Sequence, residues 1–164
     1  MPISLFYWYT DVDDVNGLVD RIRAEGERLK LGGRIRVSPE GLNGTVGGQD
    51  DDLEEFHEFV MNAMGSEDID FKVSEGGAEH FRGLQVRKVK EVVTLGEGGR
   101  GATWRDAAPH LSPEEFRAEL LQEDADTVVL DARNGYETAI GRFDNAITPN
   151  TRQFAQFALS LIHI

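Results

Sequence analysis

The chain has 164 residues with 17 basic and 30 acidic side chains, which gives a formal net charge of −13 at pH 7. This acidity argues against indiscriminate binding to nucleic acid or anionic membranes, because such a surface repels phosphate at long range. The lack of cysteine excludes a disulfide framework, a thiolate zinc site and a cysteine nucleophile within these residues. No apolar run reaches the roughly 20 residues of a transmembrane helix and no signal-peptide pattern is present, so we expect a soluble cytoplasmic protein.

Residues 1–75 carry a net charge of −10 and begin with a predicted strand and helix. The aromatic run Ser4–Thr10 has the length of a strand, and Asp13 or Asp14 can cap the helix that follows. The apolar residues of this helix recur with helical spacing at Val15, Leu18, Val19, Ile22 and Leu29. We expect Gly32 and Gly33 to end it.

The rest of this segment predicts three further strands and a second helix. Residues 34–37 alternate charged and apolar side chains, and Gly41–Gly48 contains an Asn43-Gly44 pair suited to a hairpin turn. Three aspartates at 50–52 favour the start of a helix, and Ile69–Val73 is the closing strand. One face of that helix carries Leu53, Phe56, Val60 and Met64. The order β-α-β-β-α-β predicts an α+β ferredoxin-like domain, with two helices on one face of a four-stranded antiparallel sheet.

Residues 76–110 have a net charge of +2 and form a locally basic segment in an acidic chain. Glycines at 76–77 and at 96–101 interrupt regular structure there, which is typical of a connector between two folded units. Residues 84–90 and 91–95 are predicted either as a basic hairpin or as one long strand, and the pattern favours neither.

Residues 111–164 have a net charge of −5 and a different pattern. Ser112 is a predicted N-cap, with Pro113 at the first helical position and Glu115 completing a capping box. The apolar run Thr127–Leu130 is typical of a strand buried on both faces in a parallel sheet. Ligand sites form at the carboxyl ends of such strands, where Asp131 and its neighbours follow.

Several glycine-punctuated motifs follow one another along the chain. Residues 31–48 read LGGRIRVSPEGLNGTVGG, and residues 129–141 read VLDARNGYETAIG. Further blocks lie, in order, at 69–74, 81–87, 91–96 and 110–116. Together these motifs resemble the rhodanese-domain tRNA uridine hydroxylases over about residues 5–157. The shared order of several motifs makes the resemblance specific.

The resemblance implies an acylphosphatase-like N-terminal domain of the ferredoxin-like class, followed by an α/β rhodanese-like domain. It implies tRNA as the partner and a reaction that uses molecular oxygen to place a hydroxyl group on the wobble uridine. The sequence contains no flavin, iron or pterin motif, so we expect no cofactor in these residues. The oligomeric state is not predicted.

The chain departs from the family pattern at its C-terminal end. The family carries a cysteine in an anion-binding loop of the rhodanese domain, and this chain contains no cysteine. Only 54 residues follow His110, whereas a domain of this kind needs on the order of 100. The final LSLIHI is also encoded by a transposon-end sequencing adapter, so we expect it to be non-native. We therefore expect a truncated, inactive member divided into 1–75, 76–110, an incomplete rhodanese part at 111–158, and a tail at 159–164.

Eight polar residues are candidates for contact with tRNA. Arg34 and Arg36 point to one face of a strand, where they could hold phosphates or instead form a solvated, ion-paired surface. Glu40 and Asn43 could line a cleft or belong to a turn. The basic side chains around the connector could direct an RNA loop to one face or pair with the acidic helices. The full set is Arg34, Arg36, Glu40, Asn43, Lys72, Arg82, Arg87 and Lys88.

Three other groups of residues are interpreted as structural. At least two of the aromatic residues at 6–9 must face the core, so base stacking on this run is the less favoured interpretation. Asp131, Arg133 and Glu137 match architectural residues of rhodanese domains, and we expect them to support the fold rather than catalysis. The four histidines lack metal-ligand spacing and His57 is expected on the surface, so no metal site is predicted.

Other functions stay open at this point. Sulfur transfer from a thiosulfate-like donor needs a thiolate, which these residues lack. A non-enzymatic RNA- or protein-binding module built on the N-terminal sheet needs no cysteine. Acylphosphatase activity is disfavoured, because the loop at Thr10–Asp14 is acidic and does not resemble a phosphate cradle.

Overall fold

The structure, a computed structural model, describes residues 1–93, 103–122, 127–149, 151–152 and 156–157. The chain divides into two units, Met1–Val93 and Thr94–Ile164. The first unit extends past the domain boundary expected at residue 75, because a strand from the expected connector joins its sheet.

The first unit is a five-stranded sheet with two helices. Its elements are β1 (Ile3–Tyr9), α1 (Val15–Arg28), β2 (Gly32–Ser38), β3 (Gly41–Gly47), α2 (Asp50–Met64), β4 (Lys72–Ser74) and β5 (Leu84–Lys88). The strand order is β4-β1-β3-β2-β5. The β2–β5 pair is parallel and the other neighbours are antiparallel. The predicted β-α-β-β-α-β order is therefore confirmed, with β5 added at the edge of the sheet.

One face of the sheet packs against both helices. The core side chains from the strands are Phe6, Ile35, Val37, Leu42, Val46 and Val86. Those from the helices are Val15, Leu18, Val19, Ile22, Leu53, Phe56 and Val60. The apolar spacing in the sequence thus identifies the buried face of each helix, because residues three and four apart share one side.

The glycines predicted to stop α1 and to turn the hairpin have other roles. The helix ends at Arg28, and Gly32 and Gly33 already lie in β2. Asn43 and Gly44 lie within β3, and the turn between β2 and β3 falls at residues 39–40. A Cβ on Gly44 would stand 2.5 Å from Cζ of Phe6, so close packing against this ring explains the glycine better than turn geometry does.

The closing strand and the connector also differ from expectation. Strand β4 is only three residues long, and Ile69, expected in it, is buried outside the strand. Strand β5 pairs with β2 rather than with residues 91–93, which are not in a strand. Neither the hairpin nor the long strand is therefore present at 84–93. Residues 94–95 and the glycine-rich stretch 96–101 lie outside the described residues.

The second unit contains two short helices, α3 (Pro113–Leu120) and α4 (Gly135–Ile140). The capping box is confirmed, since the Ser112 N–H donates to Glu115 Oε2 at 2.7 Å and the Glu115 N–H donates to Ser112 Oγ at 3.2 Å. The run at 127–130 does not form the strand buried on both faces of which its composition is typical. Leu130 forms one isolated parallel bridge with Ile147, and Val128 is 67% exposed.

Within the described ranges no helix is long and apolar enough to cross a membrane. The hexapeptide at 159–164, expected to be non-native, lies outside those ranges.

Candidate nucleic-acid interface

The sheet face opposite the helices is uncovered by the other described residues of the first unit over most of its area. Alternation along each strand sends Phe6, Ile35 and Val86 to the helices and their neighbours to this open face. The register places two rows of side chains across it. One row reads Lys72, Leu5, Thr45, Arg34 and Gln85. The other reads Tyr7, Asn43, Arg36 and Arg87. We call these positions, together with Tyr9, the open sheet face.

The open sheet face is basic. The outward positions of the five strands include four basic side chains and no acidic one. Arg34 and Arg36 are exposed, and no carboxylate of the described residues lies within ion-pairing distance of either. Arg87 donates to Gln85 Oε1 at 3.3 Å, and the Lys72 ammonium lies 3.7 Å from the exposed Asp70 carboxylate. Two guanidinium groups are therefore available for an anionic ligand.

Nine of the nineteen acidic residues of the first unit lie on the two helices, which cover the other side of the sheet. Helix α2 alone contains six acidic residues and no lysine or arginine. Three of them, at 50–52, lie in its first turn, where the positive end of the helix dipole stabilises them. Because exposed charges are screened beyond roughly 10 Å at ordinary ionic strength, these carboxylates only weakly oppose an anion on the open sheet face. A negative total charge is compatible with a locally basic surface.

Two tyrosines of β1, an interior strand of the sheet, belong to the open sheet face. The rings of Tyr7 and Tyr9 meet edge to face, with their centroids 6.3 Å apart. Tyr7 is 49% exposed and Tyr9 is half-buried. Burial raises the pKa of Tyr9, and the nearby Glu40 carboxylate and Tyr7 raise it further, so its phenol stays protonated at neutral pH. The other two aromatic residues of the run, Phe6 and Trp8, pack on the core as expected.

Glu40 closes one end of this face. Its Oε1 accepts a hydrogen bond of 2.7 Å from the N–H of Val92, and Val92 is 2% exposed. The Val89 N–H donates to the Val37 carbonyl, which brings the chain after β5 alongside the end of β2. Glu40 thus holds the segment after β5 against the turn between β2 and β3. Its carboxylate also disfavours a phosphate at this end.

The eight predicted residues do not all lie together. Arg34, Arg36, Asn43, Lys72 and Arg87 lie on the open sheet face, and Glu40 lies at its end. Lys88 points to the helical side, where its Nζ donates to Asn16 Oδ1 of α1 at 3.2 Å. Arg82 is exposed in the loop before β5, outside the two rows.

Sequence reasoning did not single out Tyr7, Tyr9, Thr45 or Gln85 as residues of the open sheet face. Alternation alone shows that two of the four aromatic residues at 6–9 share the face away from the core. The missing information is the register, which aligns Tyr7 with Asn43 on β3 and Arg36 on β2. The sequence does not contain a local signal for that alignment.

In the second unit, Asp131 and Arg133 form a bidentate ion pair at 2.7 and 2.9 Å. The pair lowers the pKa of the Asp131 carboxyl through these hydrogen bonds. Arg133 also donates to the Gly141 carbonyl at 2.7 Å, and Glu137 accepts from the N–H of Asn134 at 3.1 Å. These contacts tie both ends of α4 to the segment after Leu130, and the ion pair lines a mostly apolar groove of about 650 Å³. Each polar group here is engaged in local architecture.

His57 is not the surface residue expected. It is half-buried on α2, its Nε2 lies 2.8 Å from Ser4 Oγ, and its ring stacks on Phe71 at 4.0 Å. Burial lowers its pKa. Among the described residues no group of three or more histidine, aspartate or glutamate side chains could hold a metal ion.

A family model described as the UPF0176 acylphosphatase like domain matches residues 1–92. The chain belongs to this family. The match confirms the acylphosphatase-like N-terminal domain predicted from the motifs.

Curated relatives extend the similarity beyond this domain. The chain is 37% identical over 160 residues to the tRNA uridine(34) hydroxylase of Streptococcus pneumoniae (strain Hungary19A-6). It is 38% identical over 159 residues to that of Shouchella clausii (strain KSM-K16) and 35% over 154 residues to that of Listeria monocytogenes serotype 4a (strain HCC23). Each alignment covers 94% of this chain and 48% of the relative. The predicted resemblance to tRNA uridine hydroxylases is thus confirmed, and the chain spans about half the length of these relatives.

Proposed function

We propose that this chain is the tRNA-binding part of a tRNA uridine(34) hydroxylase, and that the open sheet face contacts the tRNA. The relatives carry that name at 35% to 38% identity. The first unit belongs to a family with an acylphosphatase-like domain, and it contains the motif at residues 31–48 on which the resemblance rests.

The observation that carries the proposal is a pair of exposed guanidinium groups on the open sheet face, neither of which has an ion-pair partner among the described residues. Arg34 and Arg36 lie two residues apart on β2, so their side chains leave the sheet on the same side, about 7 Å apart along the strand. Guanidinium groups bind phosphate through two parallel hydrogen bonds. Two such groups in a line suit successive phosphates of an RNA backbone better than they suit an isolated anion.

The chemistry of the relatives extends the proposal. The resemblance implies a hydroxylation that uses molecular oxygen and a rhodanese domain with an active-site cysteine, and this chain contains no cysteine. We therefore propose that these 164 residues bind tRNA but do not hydroxylate it alone. Sulfur transfer requires the same thiolate, so the proposal does not include it.

The first test is salt-dependent binding of a uridine-34 tRNA, measured by fluorescence anisotropy. Replacing Arg34 and Arg36 together with glutamine should weaken binding at least tenfold. It should also reduce the slope of log K against log salt by about 0.7 to 0.9 for each lost phosphate contact. The matched control replaces Arg21 and Lys30, two exposed basic residues outside the sheet, with glutamine in the same way. It should leave both the affinity and the salt slope unchanged. Equal losses in the two variants would contradict the assignment to the open sheet face.

The second test is a product assay. The same tRNA is incubated aerobically with the chain, digested and analysed by mass spectrometry for 5-hydroxyuridine. No product is expected. Product formation by this cysteine-free chain would contradict the proposed need for the thiolate.

A further inference from the structure

We propose that Tyr7 and Tyr9 form a stacking site for unpaired bases, so that the open sheet face binds single-stranded RNA in preference to duplex RNA. This inference rests on the proposed function and deepens it, because it assigns the class of RNA and the part of it that is bound. The arginines alone do not distinguish the two classes, since both present phosphates.

The packing of the first unit does not require these two rings. The core takes Phe6, which is 1% exposed, and Trp8 from the same strand. Tyrosine is common in strands because aromatic and β-branched side chains pack across neighbouring strands. Here Tyr7 lies opposite Asn43 and Tyr9 lies opposite Gly41, so neither ring has an apolar partner across β3. Strand propensity therefore does not account for two large rings at these positions.

The neighbours of Tyr7 suit a stacked nucleotide. Asn43 is the next side chain across the sheet, followed by Arg36 and Arg87, with successive strands about 4.8 Å apart. An amide can both donate to and accept from the edge of a base. A base on the Tyr7 ring thus has an amide beside its edge and guanidinium groups one and two strands further on for its phosphate. The RNA-recognition motif, a four-stranded sheet, binds single-stranded RNA by stacking bases on aromatic side chains of its sheet.

The charge distribution indicates where the bases and the phosphates of a bound strand lie on the face. Glu40 lies at the Tyr9 end of the face and repels phosphate, whereas Arg34 and Lys72 lie toward the opposite end. The half-buried Tyr9 is thus placed for a base, with the phosphates directed toward Arg34 and Arg36. A duplex hides the faces of its bases within the helical stack, so it leaves both rings unused.

The experiment compares a single-stranded RNA of mixed sequence with a blunt duplex containing the same number of phosphates. A 2-aminopurine in the single strand reports stacking by fluorescence quenching. The wild-type chain should bind the single strand at least tenfold more tightly and quench the probe. Tyr7→Ala and Tyr9→Ala should each weaken single-strand binding about tenfold and leave duplex binding unchanged.

Three further variants separate stacking from folding. Tyr7→Phe keeps the ring and should bind like wild type, whereas Tyr7→Leu keeps an apolar strand side chain and should bind like Tyr7→Ala. Tyr136→Ala removes an exposed tyrosine from the second unit and should have no effect. Circular dichroism establishes that each variant is folded.

The outcomes distinguish this inference from the proposed function. Equal affinity for both RNAs, with full binding by Tyr7→Leu and Tyr9→Ala, would overturn the stacking site. Salt-dependent binding of tRNA through Arg34 and Arg36 would then still support the proposed function. A wild-type chain that binds neither tRNA nor the single strand would overturn both.

Discussion

The two units of the chain differ in where they place their apolar side chains. Among the described residues, all sixteen members of the core cluster belong to the first unit. Most of the exposed large apolar side chains belong to the shorter second unit, where Ile140 is 88% and Val128 is 67% exposed. Among the described residues of the second unit, the buried side chains are Thr138 and Thr151 rather than apolar ones. The first unit therefore has a core of its own, and the described part of the second unit does not.

This difference shows how exposed apolar groups should be interpreted in each unit. In the second unit, exposed apolar side chains occur on both helices and on the segment at 128–130, as expected where few side chains are buried together. In the first unit, Leu5 and Tyr7 lie on one sheet face in the same rows as Arg34 and Arg36, with β3 between them, while the opposite face packs against both helices. An exposed apolar patch on a unit with a complete core indicates a binding surface, whereas exposed apolar side chains on a unit without a core indicate weak packing.

The largest expected difference between the units is in amide exchange. Amides in α2 should exchange only through global unfolding, because Leu53, Phe56 and Val60 are buried on that helix. Helix α3 has eight residues and no buried side chain, and helices of that length are marginal alone. We expect α2 amides to be protected on the order of a thousandfold more than α3 amides, measured by NMR. Equal protection would show that the second unit has a core comparable to that of the first.

The next largest effect is the truncation of a phenylalanine in each unit. Phe56 is fully buried against Phe6 and Phe59, so Phe56→Ala should destabilise the first unit by about 3 to 5 kcal/mol. Urea denaturation followed by Trp8 fluorescence in a Trp104→Phe background measures this loss. Phe116 is half-buried and contacts the Phe143 ring edge to face, so Phe116→Ala should cost its helix at most about 1.5 kcal/mol by amide exchange. Similar costs in both units would contradict the contrast in packing.

The periodicity of the sequence predicted the helices of the first unit well, because each helical pattern involves only residues that are close together in the chain. The spacing of Val15, Leu18, Val19 and Ile22 requires only the geometry of one helix. In the second unit, the capping box of Ser112 and Glu115 likewise requires only one turn. The errors concern contacts between distant residues. Strand β5 depends on parallel pairing with β2, about fifty positions earlier, and the Gly44 position depends on a ring from β1. Both features follow from tertiary packing, which a local pattern does not contain.

The open sheet face was predictable only in part for the same reason. Arg34 and Arg36 were placed on one face by alternation alone. Their alignment with Asn43 and Tyr7 follows from the register between three strands. The face to which Lys88 points follows from the pairing of β5 with β2, which the sequence did not predict. In the second unit, the apolar run at 127–130 predicted a buried strand, but burial depends on neighbouring elements that the described residues do not include.

A matched pair of Gly→Ala substitutions compares the packing of the two units by adding one methyl group to each. Gly44→Ala places a Cβ against the Phe6 ring inside a filled core and should destabilise the first unit by about 1 to 3 kcal/mol. Gly141 has no atom within 4 Å of a Cβ and an extended φ of 178°, so Gly141→Ala should change stability by less than about 0.5 kcal/mol. Denaturant titration for the first and amide exchange for the second measure these values. A clear loss in Gly141→Ala would reveal packing around α4 that the structure does not show.

The smallest expected effect is a pH dependence confined to the first unit. Burial lowers the pKa of His57 below its ordinary value of 6.5, so the unfolded chain binds a proton there more readily than the folded chain. This contribution to stability is complete above the unfolded pKa and is lost as the pH falls through 6.5 toward the folded value. Between about pH 7.5 and about pH 5.5, the wild-type chain should therefore lose more stability than His57→Gln, which has no titrating group at that position.

The control is His110→Gln, which changes an exposed histidine of the second unit and should leave the wild-type pH dependence of the first unit intact. Denaturation midpoints of all three proteins, followed by Trp8 fluorescence in the Trp104→Phe background, provide the comparison. Parallel pH profiles for wild type and His57→Gln would contradict a buried neutral imidazole between Ser4 and Phe71. They would also weaken the contrast between the units, since the pKa of His57 depends on how far water is excluded from the helix-covered side of the sheet next to α2.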